Sequence, residues 1–154
     1  MNIINKINLV TKYLTIRFFY AMFLIVLFNI LTRYIFNINF IFLQELTMYL
    51  HAFVFLFGIS LCFRENAHVK IDILSSRVNQ NTLAKISLLG NILFVLPFCF
   101  FVIYVSTPMI VSSWAMLEGS SEPGGLPLIY LLKSSIYLFS FLIIVEVIHK
   151  LLVK

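Results

Sequence analysis

The side chains that could do chemistry in this sequence are few, and most of them lie within or beside long apolar stretches. His51 and His149 occupy different stretches, and two such histidines can ligate a haem iron when they face each other at one depth. His51 is expected about one turn into its helix, whereas His149 closes its own helix at the opposite end. Most of the helix length would then separate the two rings, which argues against a shared haem.

The remaining reactive side chains have simpler explanations. Glu146 precedes Lys150 by four residues, which predicts an ion pair on one helix face. Cys62 and Cys99 lie in apolar stretches without metal-ligand spacing, as is typical of packing residues. Because the sequence has no nucleophile–base pair and no metal motif, we expect no enzymatic activity, no cofactor and no metal in this chain.

A third group of polar residues has helical spacing. Arg64, His68 and Asp72 follow one another at intervals of four residues and would share one face if their segment were helical. His68 could then bridge the guanidinium of Arg64 and the carboxylate of Asp72. We hypothesise that this cluster fixes the end of one helix against the next helix or a partner protein. A solvated charged loop is the alternative.

The elements that must position these residues follow from the composition. Of 154 residues, 62% are hydrophobic and 11% are charged, whereas a soluble domain carries about 25% charged residues. So few charges cannot cover a soluble fold of this size, which excludes a soluble enzyme, a nucleic-acid-binding module and a disordered chain. We predict an all-α integral membrane protein with one membrane domain over residues 1–154.

Four stretches are apolar enough to cross a bilayer, for which a helix needs about 20 residues. They cover about residues 13–34, 46–63, 88–116 and 128–148, joined by short amphipathic or interfacial segments. The third belongs to an uncharged stretch between Lys85 and Glu118 that is longer than the bilayer requires. We therefore expect it to be strongly tilted or to begin along the membrane surface, with kinks at Pro97 and Pro108.

The basic residues indicate the orientation of these spans. Four spans place both termini on one side of the membrane. Nine of the 11 Lys and Arg residues fall on that side, and only Arg33 and Lys133 fall on the other. The positive-inside rule therefore predicts that both termini, and the loop between the second and third helices, are cytoplasmic.

Three stretches together resemble a known family. Glu45-Leu46 and Tyr49-Leu50 open the second helix, residues 64–72 (Arg-Glu-Asn-Ala-His-Val-Lys-Ile-Asp) follow it, and residues 118–127 end in Gly-Leu-Pro. With four predicted helices in 154 residues, the chain resembles the small, DctQ-like membrane subunit of tripartite ATP-independent periplasmic (TRAP) transporters over nearly its whole length.

The resemblance implies a non-catalytic subunit in the bacterial inner membrane. It would scaffold a large membrane subunit, which carries the substrate and sodium sites and moves like an elevator. A periplasmic substrate-binding protein would deliver an organic acid, of the C4-dicarboxylate or sialic acid type, and dock on the outer face. The implied partners are this large subunit, the binding protein and membrane lipids, with no nucleic acid.

The resemblance also suggests contacts for individual residues. Arg64, His68 and Asp72 are candidates for contact with the large subunit. Candidates for docking the binding protein are Arg33, Glu45, Glu118, Glu122 and Lys133. Simple solvation at the membrane edge is the alternative for the second group. Two other functions stay open, a haem-bearing membrane anchor of a redox complex and a stand-alone small transporter or channel.

Overall fold

The computed structural model of the chain describes residues 3–65 and 79–152. Its elements are α1 (Ile3–Phe36), α2 (Ile41–Arg64), α3 (Gln80–Gly90), a π-helical turn (Asn91–Val95), α4 (Leu96–Ala115) and α5 (Ile129–Leu152). The described ranges contain no strand. Four stretches of helix are long and apolar enough to cross a membrane: Ile4–Phe36, Ile41–Arg64, Lys85–Ala115 and Ile129–Leu152. The predicted all-helical protein with four candidate spans is confirmed.

The first two helices begin earlier than the apolar pattern predicted. They start at Ile3 and Ile41 instead of at about residues 13 and 46. Only residues 37–40 separate them. Asn37 turns the chain with a φ of 53°, a left-handed conformation that Asn tolerates better than most residues. Hydrophobicity locates the part of a helix that suits hydrocarbon, and it does not find the polar turns that extend the helix beyond it.

The third span runs through a π-helical turn whose position Pro97 explains. Proline has no N–H to donate, and its ring crowds the carbonyl four residues earlier, that of Leu93. Residues 91–95, which include Leu93, form the π-helical turn, and it ends two residues before this proline. Gly90 and Leu96, which flank the turn, keep right-handed helical dihedral angles. The helix therefore absorbs Pro97 by widening one turn, as π-bulges do.

The helices lie side by side in the order α1, α2, α5, α4. The rings of Phe18, Phe53 and Phe57 lie with their centroids 5.8–6.2 Å apart and join α1 to α2. Cys99 of α4 is fully buried against Ile143 and Val147 of α5. The apolar core therefore concentrates between α4 and α5, where Cys99 serves as a packing residue.

Small serines allow close approach of the helices at several interfaces. Ser60, Ser113 and Ser140 are each at most 3% exposed. Small side chains of this kind bring helix backbones together in membranes, where apolar burial alone gives little preference for a neighbouring helix. Most of the apolar surface instead faces outward, and none of the most apolar window of α1 is buried. That outward surface must meet lipid or a partner protein.

Candidate functional site

The ion pairs of the described chain lie in two clusters of polar groups at opposite ends of the helices. The loop end contains residues 37–40 and the α4–α5 loop, residues 116–128. The other end contains the start of α1, the end of α2 and the end of α5, which meet around Arg64. We call the second group, Arg64 with Asn5, Asn8 and Glu146, the Arg64 cluster.

The α4–α5 loop is folded back on itself by its own backbone. The N–H of Glu118 donates to the carbonyl of Ser113 at 3.0 Å, and the N–H of Ile129 donates to the carbonyl of Glu118 at 3.1 Å. The N–H of Ser120 donates to the carbonyl of Leu126 at 3.0 Å. Gly124 has a φ of 80°, which glycine adopts without strain. The loop is thus a shaped surface, built from a turn-rich sequence.

Glu45 of α2 binds this loop through two hydrogen bonds. Its carboxylate accepts a hydrogen bond from the hydroxyl of Ser120 and another, at 2.5 Å, from the backbone N–H of Leu126. Gly125 passes so close that an added Cβ would lie 2.7 Å from Oε1 of Glu45. Charge-assisted bonds from two points of the loop to one carboxylate fix the loop against α2.

Lys133 of α5 holds the start of the same loop. Its ammonium forms an ion pair with Glu118, and this hydrogen bond lowers the pKa of the Glu118 carboxyl from its ordinary value. Nearby, Nε1 of Trp114 donates to the hydroxyl of Ser134 at 2.8 Å. The Trp114 ring meets the ring of Tyr130 edge-on at 4.7 Å. The loop is therefore attached to α5 at its beginning and to α2 along its length.

The five residues expected to dock a binding protein thus have different surroundings. Glu45, Glu118 and Lys133 come together around the α4–α5 loop and make contacts within the chain. Arg33, in the last turn of α1, and Glu122, in the loop, are exposed. All five lie at the loop end, and their docking role stays a prediction.

At the opposite end, Arg64 joins three helices. Its Nη1 lies 3.3 Å from Oε1 of Glu146 in α5, and its Nη2 donates to Oδ1 of Asn5 in α1 at 2.5 Å. Asn8, with its amide oxygen turned toward the guanidinium, accepts from Nε at 2.5 Å. The guanidinium offers five donors in a fixed plane, which suits three acceptors from different directions.

Glu146 is paired differently from the sequence prediction. Its spacing to Lys150 predicted an ion pair along α5, but its carboxylate pairs with Arg64, and the residue is buried. The ammonium of Lys150 donates instead to the backbone carbonyl of Phe63, and its Nζ lies 4.1 Å from the centroid of the Phe63 ring. Helical spacing could not show that the end of α2 would bring a guanidinium to this face of α5.

The predicted group of Arg64, His68 and Asp72 is only partly visible. His68 and Asp72 lie outside the described residues, so their contacts with Arg64 remain a prediction. Arg64 does secure the end of α2 against other helices of this chain, namely α1 and α5. Sequence reasoning missed Asn5 and Asn8, because their acceptor role depends on an α1 that extends ten residues before its apolar part.

The two histidines are far apart along the helices. His51 is ten residues into α2, about 15 Å from its start, and not one turn in as the predicted helix start implied. Arg64 lies 13 residues, about 20 Å, further along α2 than His51. Arg64 contacts Glu146 of α5, and His149 lies one turn beyond Glu146. This separation does not allow both imidazoles to ligate one iron. The described residues contain no group of three or more His, Cys, Asp or Glu side chains that could hold a metal ion.

The family model for the DctQ component of tripartite ATP-independent periplasmic transporters matches residues 22–153. The chain belongs to this family. No curated protein and no solved structure gives a match. The family assignment makes this DctQ component the small membrane subunit of a TRAP transporter, a family of transporter components and not of catalysts.

The family match covers most of both polar clusters. Glu45, the α4–α5 loop and the pair of Arg64 with Glu146 lie inside residues 22–153, whereas Asn5 and Asn8 precede them. Four apolar helices and membership of a membrane transporter family together indicate a multi-pass protein of the inner membrane. The tripartite family also implies two partners, a large membrane subunit and a substrate-binding protein.

Proposed function

We propose that this DctQ component is a non-transporting scaffold, which steadies the large membrane subunit of a sodium-coupled TRAP transporter and helps dock the binding protein. The transported solute is an organic acid of the C4-dicarboxylate or sialic acid type. Solute and sodium bind the large subunit, and neither binds this chain. Both termini lie in the cytoplasm, and the loop end lies in the periplasm.

The observation that carries the scaffold role is the position of the ion pairs, which lie in two clusters at opposite ends of the helices. Among the described residues, the buried interior between these clusters contains no Asp, Glu, Lys, Arg or His side chain. The hydroxyls of Ser106, Ser135 and Ser140 are bonded to carbonyls of their own helices. A carrier of polar solutes needs polar groups or broken helices near the bilayer midplane. This interior supports packing better than passage.

The shaped α4–α5 loop supports the docking role. It presents exposed Glu122 on a loop attached to two helices, and exposed Arg33 lies at the same end. Charges at the rim of an interface steer encounter and fix register more than they add affinity. A rigid, charged rim is suited to a binding protein that must dock and leave in each transport cycle.

Co-purification tests this function. The tagged chain is expressed from its native operon, extracted in mild detergent, and its companions are identified by mass. We expect a large multi-pass membrane protein, and the binding protein after mild cross-linking. A chain that purifies alone and by itself moves solute in liposomes would contradict the scaffold role and favour a stand-alone transporter.

A further inference from the structure

One face of α2 points away from the other helices and carries an imidazole at membrane depth. Exposed side chains recur along it at intervals of four and three residues, with one glycine in the same series: Gln44, Met48, His51, Phe55, Gly58 and Cys62. This 3.5-residue spacing keeps them on one side of the helix, as in the contact seam of two packed helices. We call these six residues the α2 stripe.

His51 is the unusual member of the stripe. It lies six residues, about 9 Å, below the Glu45 that holds the α4–α5 loop, and 13 residues before Arg64 at the other end. Its side chain is exposed, and the described residues give it a stacking contact with Phe55 at 6.4 Å and no hydrogen bond. A neutral imidazole still has one donor and one acceptor to satisfy.

Lipid acyl chains cannot hydrogen-bond to the imidazole of His51. Ionisable side chains within membrane spans are costly, and they almost always face protein or water. An imidazole directed at acyl chains would lose its hydrogen bonds to water without replacement. The cover of His51 must therefore supply a hydrogen-bonding group, which a protein helix can do.

Gly58 adds an independent geometric argument. A Cβ built on Gly58 would meet nothing within 4 Å, so the backbone of α2 is open to the outside at this point. Glycine and other small residues in a span allow a neighbouring helix to approach closely. Gly58 and Cys62, one turn later, leave room for a neighbouring helix to pack closely. His51, the polar group to which this helix would have to hydrogen-bond, lies two turns before Gly58 on the same face.

The outward faces of α1 and α5 differ from the α2 stripe. Between residues 19 and 31 of α1, the exposed side chains are aromatic or aliphatic. Arg17, just before this range, is also exposed, and its long side chain can reach toward the headgroups. The exposed residues of α5 are Leu131, Leu138, Phe141, Ile148 and Leu152. These surfaces suit lipid. Compared with these two surfaces, the α2 stripe combines the imidazole of His51 with open backbone at Gly58, whereas the amide of Gln44 already donates to Asn39 at 2.7 Å.

We propose that the α2 stripe is the surface on which a transmembrane helix of the large membrane subunit packs, with His51 hydrogen-bonded to a polar group of that helix. This rests on the proposed function, which supplies the large subunit as the membrane partner. A second copy of this chain is the competing occupant, and the experiments below separate the two.

The first experiment enlarges Gly58. Gly58→Leu places a side chain in open space within this chain and favours helix, so the free subunit is expected to fold. In the complex, the same side chain collides with the partner helix, and we expect the large subunit recovered with the tagged chain to fall about tenfold. Gly90→Leu is the matched control, because a Cβ there also meets nothing within 4 Å. It should leave recovery unchanged.

The second experiment identifies the neighbour of the stripe directly. A photo-reactive phenylalanine analogue replaces Phe55, or replaces Phe23 of α1 or Phe141 of α5 as controls, whose exposures of 57% and 54% match the 60% of Phe55. In membranes containing the whole operon, irradiation should join position 55 to the large subunit, and the two control positions should give no such adduct.

The outcomes separate the interface from the function. If the unmodified chain brings no large subunit, the proposed function fails, and the interface fails with it. If it does bring the large subunit, unchanged recovery with Gly58→Leu, or an adduct from position 23 or 141 and none from position 55, overturns the interface alone. An adduct of position 55 with a second copy of this chain also overturns it.

Discussion

Arg64 and Glu146 lie 82 residues apart in the sequence and pair at 3.3 Å between the ends of α2 and α5. The Glu146 side chain is 5% exposed and the Arg64 side chain is 20% exposed. Oε2 of Glu146 is buried without a hydrogen-bond partner among the described residues. Because Asn5 of α1 also accepts from Arg64, one guanidinium joins the ends of three helices.

Neutralising Glu146 should destabilise the subunit. Glu146→Gln leaves Arg64 without its counter-ion while keeping the side-chain shape, and we expect a loss of about 1–3 kcal/mol in the free energy of unfolding in detergent. Arg64→Gln should cost a similar amount, and the double variant should cost less than the sum. Glu65→Gln, at an exposed position, is the control. Strictly additive losses would show that the two side chains do not interact.

Adding a methyl group to Gly125 should loosen the α4–α5 loop. In Gly125→Ala, the Cβ would come closest to the side chain of Ser120 and lie 2.7 Å from Oε1 of Glu45, so the contact between Ser120 and Glu45 must shift. We expect a stability loss of about 1–3 kcal/mol and faster proteolysis within residues 116–128. Gly119→Ala is the control, because its Cβ would contact Pro127 at an ordinary 3.4 Å. Equal protection of the loop in both variants would contradict a clamping role of the contact between Glu45 and Ser120.

The ion pair of Glu118 with Lys133 should make the loop sensitive to acid. The hydrogen bond from Lys133 lowers the pKa of Glu118 in the folded protein, so the pair contributes stability above the ordinary glutamate pKa of 4.5. That contribution is lost as the pH falls through the lowered value. Trp114, the single tryptophan of the sequence, contacts Tyr130 and Ser134 and reports on this region by its fluorescence.

In the unmodified protein, we expect the Trp114 signal to stay constant down to pH 4.5 and to change below it. In Lys133→Met, the pKa of Glu118 returns toward its ordinary range, so the transition should move to higher pH. Glu118→Gln, which cannot ionise, should abolish the transition. A transition at the same pH in all three proteins would show that another group causes it.

Reversing the exposed charges at the loop end should slow uptake. Arg33→Glu combined with Glu122→Lys changes the two docking candidates that make no ion pair within the described chain. We expect uptake to fall by about tenfold at low ionic strength, with a smaller effect in salt and normal amounts of subunit in the membrane. Glu65→Lys, at the opposite end, should have no effect. Normal uptake by the double variant would refute docking through these charges.

The sequence was sufficient to predict the class of this protein and the number of its spans. The composition has too few charged residues for a soluble fold, which indicates a membrane protein. The four apolar stretches correspond to the four candidate membrane spans. The helix starts were less accessible, because α1 extends to Ile3 through polar residues that contact Arg64. A hydropathy pattern indicates which part of a helix suits the membrane. It does not show that Arg64, far away in the sequence, contacts the first turns of α1.

The sequence indicates which charged residues lie at the loop end, but not which groups they contact. Glu45, Glu118 and Lys133 were identified as charged residues at one end, and the structure brings them to a single loop. Their partners depend on long-range packing, as in the contact of Glu45 with Leu126, 81 residues later. Glu146 shows the same limit, since local spacing favoured Lys150 and the fold supplied Arg64.

Reconstituted uptake is the most direct test of the central claim, that this chain is an obligatory subunit and not a carrier. The large subunit, the binding protein and this chain are placed in liposomes together, and each is omitted in turn, with a sodium gradient and a labelled organic acid. We predict uptake with all three components and none when this chain is omitted or is present alone. Uptake by this chain alone, or full uptake in its absence, would contradict the account.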